Sequence, residues 1–252
     1  MNNIVFVLLL AKKRLTPLIE NPIGIIISMF QPLIFLVLFG TIFSSISSVG
    51  GFEVSNYASY ILPGILVMNA LFGGIYLGMS TLDDMREGIF NRYLVAPKNN
   101  LVFIIGDLVY IFTFQLIQST LLVVIGYFMG FRLPTGIVSP ILFLVTPALF
   151  SCLIGSVSIG IAVLTKKHST MITVMQFFSF PLIFLSSAFM PSNLLPKWIS
   201  ILSKINPVDW VVRASQSTFN HSPAINYYLL IVSCLVTAVV FCKFTYDVQR
   251  KK

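Results

Sequence analysis

The residues that could do chemistry are few and scattered. The chain has two histidines, His168 and His221, three cysteines and eight acids. Cys152, Cys234 and Cys242 lie inside apolar runs without motif spacing, so they read as small packing residues and not as disulfide or metal partners. There is no Gly-rich phosphate loop ending in Lys-Ser/Thr, no His-Glu-x-x-His and no Gly-x-Ser-x-Gly. The chain is therefore not expected to be an enzyme or to bind ATP by that route, and no catalytic, cofactor or metal residue is assigned. Asp107 is the only acid inside an apolar run. Such an acid can be a proton-relay or ion site. This close to the end of its run, the expectation is a hydrated or snorkelling residue. Gln31, Asn69 and Gln176 are candidates for a translocation path. Mid-membrane amides, with Gln115 and Gln118, equally suit hydrogen bonds between helices.

The one dense group of charge is Asp83 to Pro97, DDMREGIFNRYLVAP. It reads as a short helix, with Asp83 and Asp84 capping its start and Pro97 stopping it. Met85, Ile89 and Tyr93 recur at a spacing of four and form one apolar stripe. Such a helix can fill a groove on another protein, with Arg86, Glu87 and Arg92 on the rim and Gly88 as a point of close approach or flexibility. A solvated or lipid-surface loop is the bland alternative.

These residues must be positioned by membrane spans. The 252 residues are 57% hydrophobic and 10% charged, against about 25% charged in soluble domains. That balance specifies an integral membrane protein, and the length fits a single membrane domain over 1–252. The net charge of +8 points to topology and anionic lipid. Without a basic cluster interleaved with aromatics, nucleic acid is not an expected partner.

Residues 1–20 read as a helix on the cytoplasmic surface, with Ile4, Leu8, Ala11, Leu15 and Leu18 on one face and Lys12, Lys13 and Arg14 meeting headgroups. The apolar run Ile4 to Ala11 precedes its basic cluster, the reverse of a secretory signal. Six spans follow, at about 22–46, 57–82, 101–129, 138–164, 169–190 and 223–246. Each exceeds the roughly 20 residues that cross the hydrocarbon. Twelve of the sixteen Lys and Arg fall on the face that holds the N-terminal segment, the 83–100 loop, the 165–168 turn and the C-terminal end. That bias places both termini in the cytoplasm of a cell-membrane protein. It also puts the two histidines on opposite faces.

The loop at 191–222 contains two short amphipathic helices. Trp198, Ile201, Leu202 and Ile205 make an apolar face of the first, and Pro196 suits its first position. Asn206 caps the second, Pro207 takes its first position and Asp209 its third, with Trp210 following and Arg213 paired to Asp209 at i, i+4. They read as lying at or dipping into the outer interface, either as lipid-surface helices or as part of a gate.

The pieces together resemble the membrane subunits of type-2 ABC exporters. REGIFNRYLVAP (86–97) looks like that family's coupling segment. PLIFLSSAFMP (181–191) with WISILSKINPVDWVVRA (198–214) resembles its signature before the last span. Members often carry Gly-Lys where this chain has Gly106-Asp107. The resemblance implies an all-α permease with an N-terminal interfacial helix, six spans, a cytoplasmic coupling helix and two outer-face helices. It implies a second permease copy or paralogue and two ABC ATPase subunits that hold the ATP-Mg. The implied cargo is amphipathic or hydrophobic, a drug, antibiotic or antimicrobial peptide, or else a polysaccharide or lipid-linked glycan. From the residues alone, an ion-coupled carrier or channel using Asp107, a membrane-embedded enzyme and a structural or sensory partner remain as rivals.

Overall fold

The computed structural model describes residues 3–42, 57–95, 100–190, 195–220 and 224–250. Among them every regular element is a helix. The order is α1 (Asn3–Glu20), α2 (Pro22–Ile42), α3 (Tyr57–Arg86), α4 (Ile89–Val95), α5 (Asn100–Phe128), α6 (Val138–Thr165), α7 (His168–Phe184), α8 (Lys197–Ser203), α9 (Pro207–Ser217) with a 3-10 turn Thr218–Asn220, and α10 (Ile225–Arg250). Long apolar stretches make helices here because in hydrocarbon the backbone must satisfy its own hydrogen bonds. Among the described residues, α2, α3, α5, α6 and α10 are long and apolar enough to cross a membrane. The loop at 47–56, Pro97 and His221 lie outside the described residues.

The centre is α3 against α6. Their apolar windows are 78% and 67% buried, whereas those of α2 and α10 are 22% and 17% buried. Small residues let the central pair approach. A Cβ built on Gly78 would overlap Ser158 Oγ and lie 2.6 Å from its carbonyl oxygen, and one on Gly74 would lie 2.8 Å from the Ser151 carbonyl oxygen. Close backbone contact of this kind is how helices associate where apolar side chains alone give no preference over lipid.

The start of α1 and the end of α10 sit at one end of the bundle, here the terminal end. Phe6 of α1 meets Phe103 at the start of α5 in a T-shaped pair, and Tyr246 near the end of α10 packs on Phe90 of α4. The start of α7 lies there too, with His168 Nε2 3.4 Å from Asp83 Oδ1. The opposite end holds α8 and α9, the end of α7 and the start of α10. Asn206 donates to the carbonyls of Leu182 and Leu185, and Tyr228 donates to that of Ala214.

Two expectations are corrected. The fifth apolar run, expected to be helical over 169–190, is helical only to Phe184. Beyond it the chain is irregular because side chains from elsewhere take its backbone groups. Asp209 accepts from the Ser187 N–H, and Tyr60 and Tyr57 donate to the carbonyls of Ser187 and Phe189. The expected single apolar face of α1 also divides. Ile4 and Leu8 point outward with Val5 and Leu9, while Phe6, Leu10 and Ala11 face the bundle. This helix has two apolar sides because it packs on α5 with one of them.

Candidate functional site

The charged stretch at 83–97 occupies the terminal end, but not as one helix. Asp83 and Asp84 do not cap a helix start. They lie in the last turns of α3, which runs on to Arg86. Gly88 then adopts φ +73° and ends the helix, a left-handed conformation that glycine reaches without a Cβ penalty. The Gly88 N–H donates to the Met85 carbonyl at 3.3 Å, and the Arg92 N–H to the Gly88 carbonyl at 3.4 Å. A Cβ at Gly88 would meet nothing within 4 Å, so the backbone angle, not crowding, calls for glycine.

The stripe Met85, Ile89, Tyr93 is therefore interrupted, and it turns inward. Tyr93 stacks on Phe103 with centroids 4.5 Å apart, and Phe90 is buried against Tyr246 at 5.0 Å. Met85 packs on the core beside Phe90. Burial pushes the Tyr93 hydroxyl pKa up, and the nearby Asp84 charge adds to it. The face left bare carries Arg86, Glu87, Asn91 and Arg92. The apolar residues seat α4 on its own protein, and the charged ones are what a partner could touch.

Beneath α4 lies a cluster that sequence reasoning missed. Arg14 of α1 donates from Nη1 to Ser80 Oγ at 2.6 Å, from Nη2 to Asp84 Oδ2, and from Nε faces Asp107 Oδ1 at 2.7 Å. Asp107 is 6% exposed, so it is buried and ion-paired and not hydrated as expected. Burial opposes the charge on Arg14, but Asp107 and Asp84 outweigh it and hold the guanidinium pKa above its usual value. A notch of about 250 Å³ beside it is walled by Lys13, Asp84, Ile89, Tyr93 and Tyr110. One signal was available: a buried acid needs a partner, and Lys12, Lys13 and Arg14 were among the twelve bases assigned to the same face.

At the opposite end the expected local chemistry is present. Asn206 Oδ1 accepts from the Val208 N–H at 2.9 Å, and Pro207 opens α9. Asp209, fully buried, accepts from Ser187 N–H at 2.7 Å and from Arg213 Nε at 2.6 Å. Burial opposes the charge on Arg213, and the hydrogen bond and charge of Asp209 override it, so its pKa is raised. Trp210 Nε1–H donates to the Lys204 carbonyl at 2.7 Å. Trp198, Ile201, Leu202 and Ile205 face outward and Ser203 faces in. Pro196 stands just before α8, not inside it.

Of the path candidates, Asn69 is buried and Gln31 is exposed. Asn69 Nδ2 donates to Gln118 Oε1 at 2.9 Å, and Gln118 Nε2 to Ser28 Oγ at 2.8 Å, which ties α3 to α5 and α2. Gln31 is exposed on α2, and the side chain of Gln176 lies outside the described residues. Among the described residues no three His, Cys, Asp or Glu side chains gather as metal ligands.

Comparison with known proteins decides what this arrangement belongs to. The pattern of the ABC-2 type transporter family matches residues 6–220. The chain belongs to that family. It is 31% identical over 222 residues to a putative transport permease, ycf38, of Cyanophora paradoxa, covering 84% of this chain and 73% of the relative. It is 23% identical over 235 residues to the daunorubicin resistance ABC transporter permease protein DrrB1 of Streptomyces coeruleorubidus, covering 92% and 81%. It is 20% identical over 219 residues to a probable doxorubicin resistance ABC transporter permease protein, DrrC, of Mycobacterium tuberculosis, covering 87% and 78%. This ABC-2 permease is thus a multi-pass membrane subunit, and the family implies ABC ATPase partners.

Proposed function

We propose that this permease is half of the membrane part of an ATP-driven exporter, with two ATPase subunits docking at the terminal end. The observation that carries the reading is α4. It hangs from Gly88 with its apolar side seated on Phe103 and Tyr246, and it offers Arg86, Glu87 and Arg92 to a partner. Rim charges of this kind set orientation and on-rate more than affinity. ATP-driven closure of the docked subunits then moves a rigid surface helix, and the spans rock with it. A second copy or paralogue completes the path, ATP-Mg stays on the partner subunits, and 1–252 forms one membrane domain.

The cargo is amphipathic or hydrophobic, of drug or antimicrobial type. The spans offer aromatics and amides with little charge, and two relatives are named for daunorubicin and doxorubicin resistance. Six traverses support termini on one side, in the cytoplasm of a cell-membrane protein. Besides the five long spans, α7 starts beside Asp83 at the terminal end and finishes under Asn206 at the other. Its 17 residues rise about 25 Å, close to a hydrocarbon core of about 30 Å. The Asp209–Arg213 elbow and Trp198 helix then lie at the outer face as a gate.

Two measurements test the reading. Single cysteines at Ser48, Gly136 and Asn193, in a background without the native ones, are expected to react with an impermeant thiol reagent from outside intact cells. One at Asn99 is expected to stay unlabelled, and its labelling from outside would overturn the topology. Cells co-expressing this permease with its ATPase are expected to accumulate less of an amphipathic drug, in a vanadate-sensitive way. Unchanged accumulation with an assembled, hydrolysing complex would remove the drug from the reading.

A further inference from the structure

The Arg14 cluster uses every nitrogen of one guanidinium. Nε, Nη1 and Nη2 each serve a different residue, Asp107 on α5 and Ser80 and Asp84 on α3. Three of its five N–H donors are committed to these partners, and the two carboxylates beside it disfavour a free anion. A buried charge of this kind is costly unless paired, and loss of one partner strands the others. A second tie runs beside it. Phe103 of α5 meets Phe6 from α1 edge-to-face at 5.5 Å and stacks on Tyr93 from α4 at 4.5 Å. Gly106 brings α1 close, since a Cβ there would lie 3.0 Å from Leu10 Cβ.

We propose that Arg14 fastens α1 to the ends of α3 and α5, so that α1, α4 and these span ends travel as one body during export. Arg14 is then a positioning residue, and α1 is a working part of the transmission and not only a membrane anchor. The inference rests on α4 as the docking element, because α4 is where motion would enter. The guanidinium is required for its fork geometry as well as its charge, since a lysine ammonium is a point charge that cannot hold three partners in one plane.

The decisive experiment locks α1 to α5. In the cysteine-free background, Leu10→Cys with Gly106→Cys removes the leucine side chain that crowds Gly106. Their Cβ atoms then need only a few tenths of an ångström of relaxation to reach disulfide spacing. The disulfide is expected to form under oxidant and to leave drug export running. Export that stops on oxidation and returns with reductant would overturn the proposal, because α1 would then have to part from α5 in the cycle. That readout does not depend on where the ATPase docks. In parallel, Arg14→Lys is expected to cut transport by about tenfold, within the range of ordinary coupling free energies. Membrane level, ATPase co-purification and ATP hydrolysis are expected to persist, a split that mere destabilisation would not give. Wild-type transport by both Arg14→Lys and Arg14→Gln would also overturn it.

Discussion

Asp209→Ala is expected to destabilise the folded permease by about 3 kcal/mol or more, the scale for stripping one partner from a buried ion pair. Asp209 is fully buried and serves two groups, the Ser187 N–H and Arg213 Nε. Its loss leaves a buried N–H without an acceptor and a partly buried guanidinium without a counter-charge. The irregular segment after Phe184 would lose one of the contacts that order it, keeping those from Tyr57 and Tyr60. The thermal midpoint of the detergent-solubilised protein measures this directly. Asp209→Asn separates the two roles, since its amide oxygen can still accept from Ser187 but cannot neutralise Arg213. It is expected to fall between Ala and wild type. An alanine variant with an unchanged midpoint would show that α9 is held by packing alone.

Gly88→Val is expected to reduce export by more than tenfold while the spans still insert. At φ +73° a β-branched residue is badly placed, and left-handed geometry costs an ordinary residue about 1–2 kcal/mol. The chain would relieve that strain by extending α3, which swings α4 off Phe103 and Tyr246. Nothing lies within 4 Å of a Cβ at this site, so a side chain as such is tolerated. Gly88→Asn, which accepts left-handed angles more readily, is therefore expected to keep most transport. Equal loss in both variants would mean that the side chain blocks a docked partner, and equal retention would mean that the turn does not matter.

What could be read from the sequence follows the range of the interactions. Long apolar runs define their own helices, so α3, α5 and α6 begin and end within a few residues of expectation. The α9 start was equally legible, because Asn206, Pro207, Asp209 and Arg213 act on neighbours within four residues. The break at Gly88 was not, because one glycine inside a helical pattern marks either a flexible point or a stop. The inward turn of the α4 stripe depends on Phe103 and Tyr246, which belong to other helices. Arg14 was assigned to headgroups, while its partner Asp84 stands 70 residues along the chain. Asp107 was misread for the same reason: its environment is supplied by a helix that sequence periodicity gives no means to dock.

The bare charged face of α4 is expected to meet the ATPase. A photo-crosslinking amino acid placed at Arg92 reads that contact, with one at Arg132 beyond α5 as the control. Both side chains are exposed, so neither substitution disturbs the core. In membranes that contain the assembled transporter, the probe at 92 is expected to capture the ATPase subunit and the probe at 132 is expected not to. Capture from 132, or none from 92 in a complex that still hydrolyses ATP, would contradict the claim.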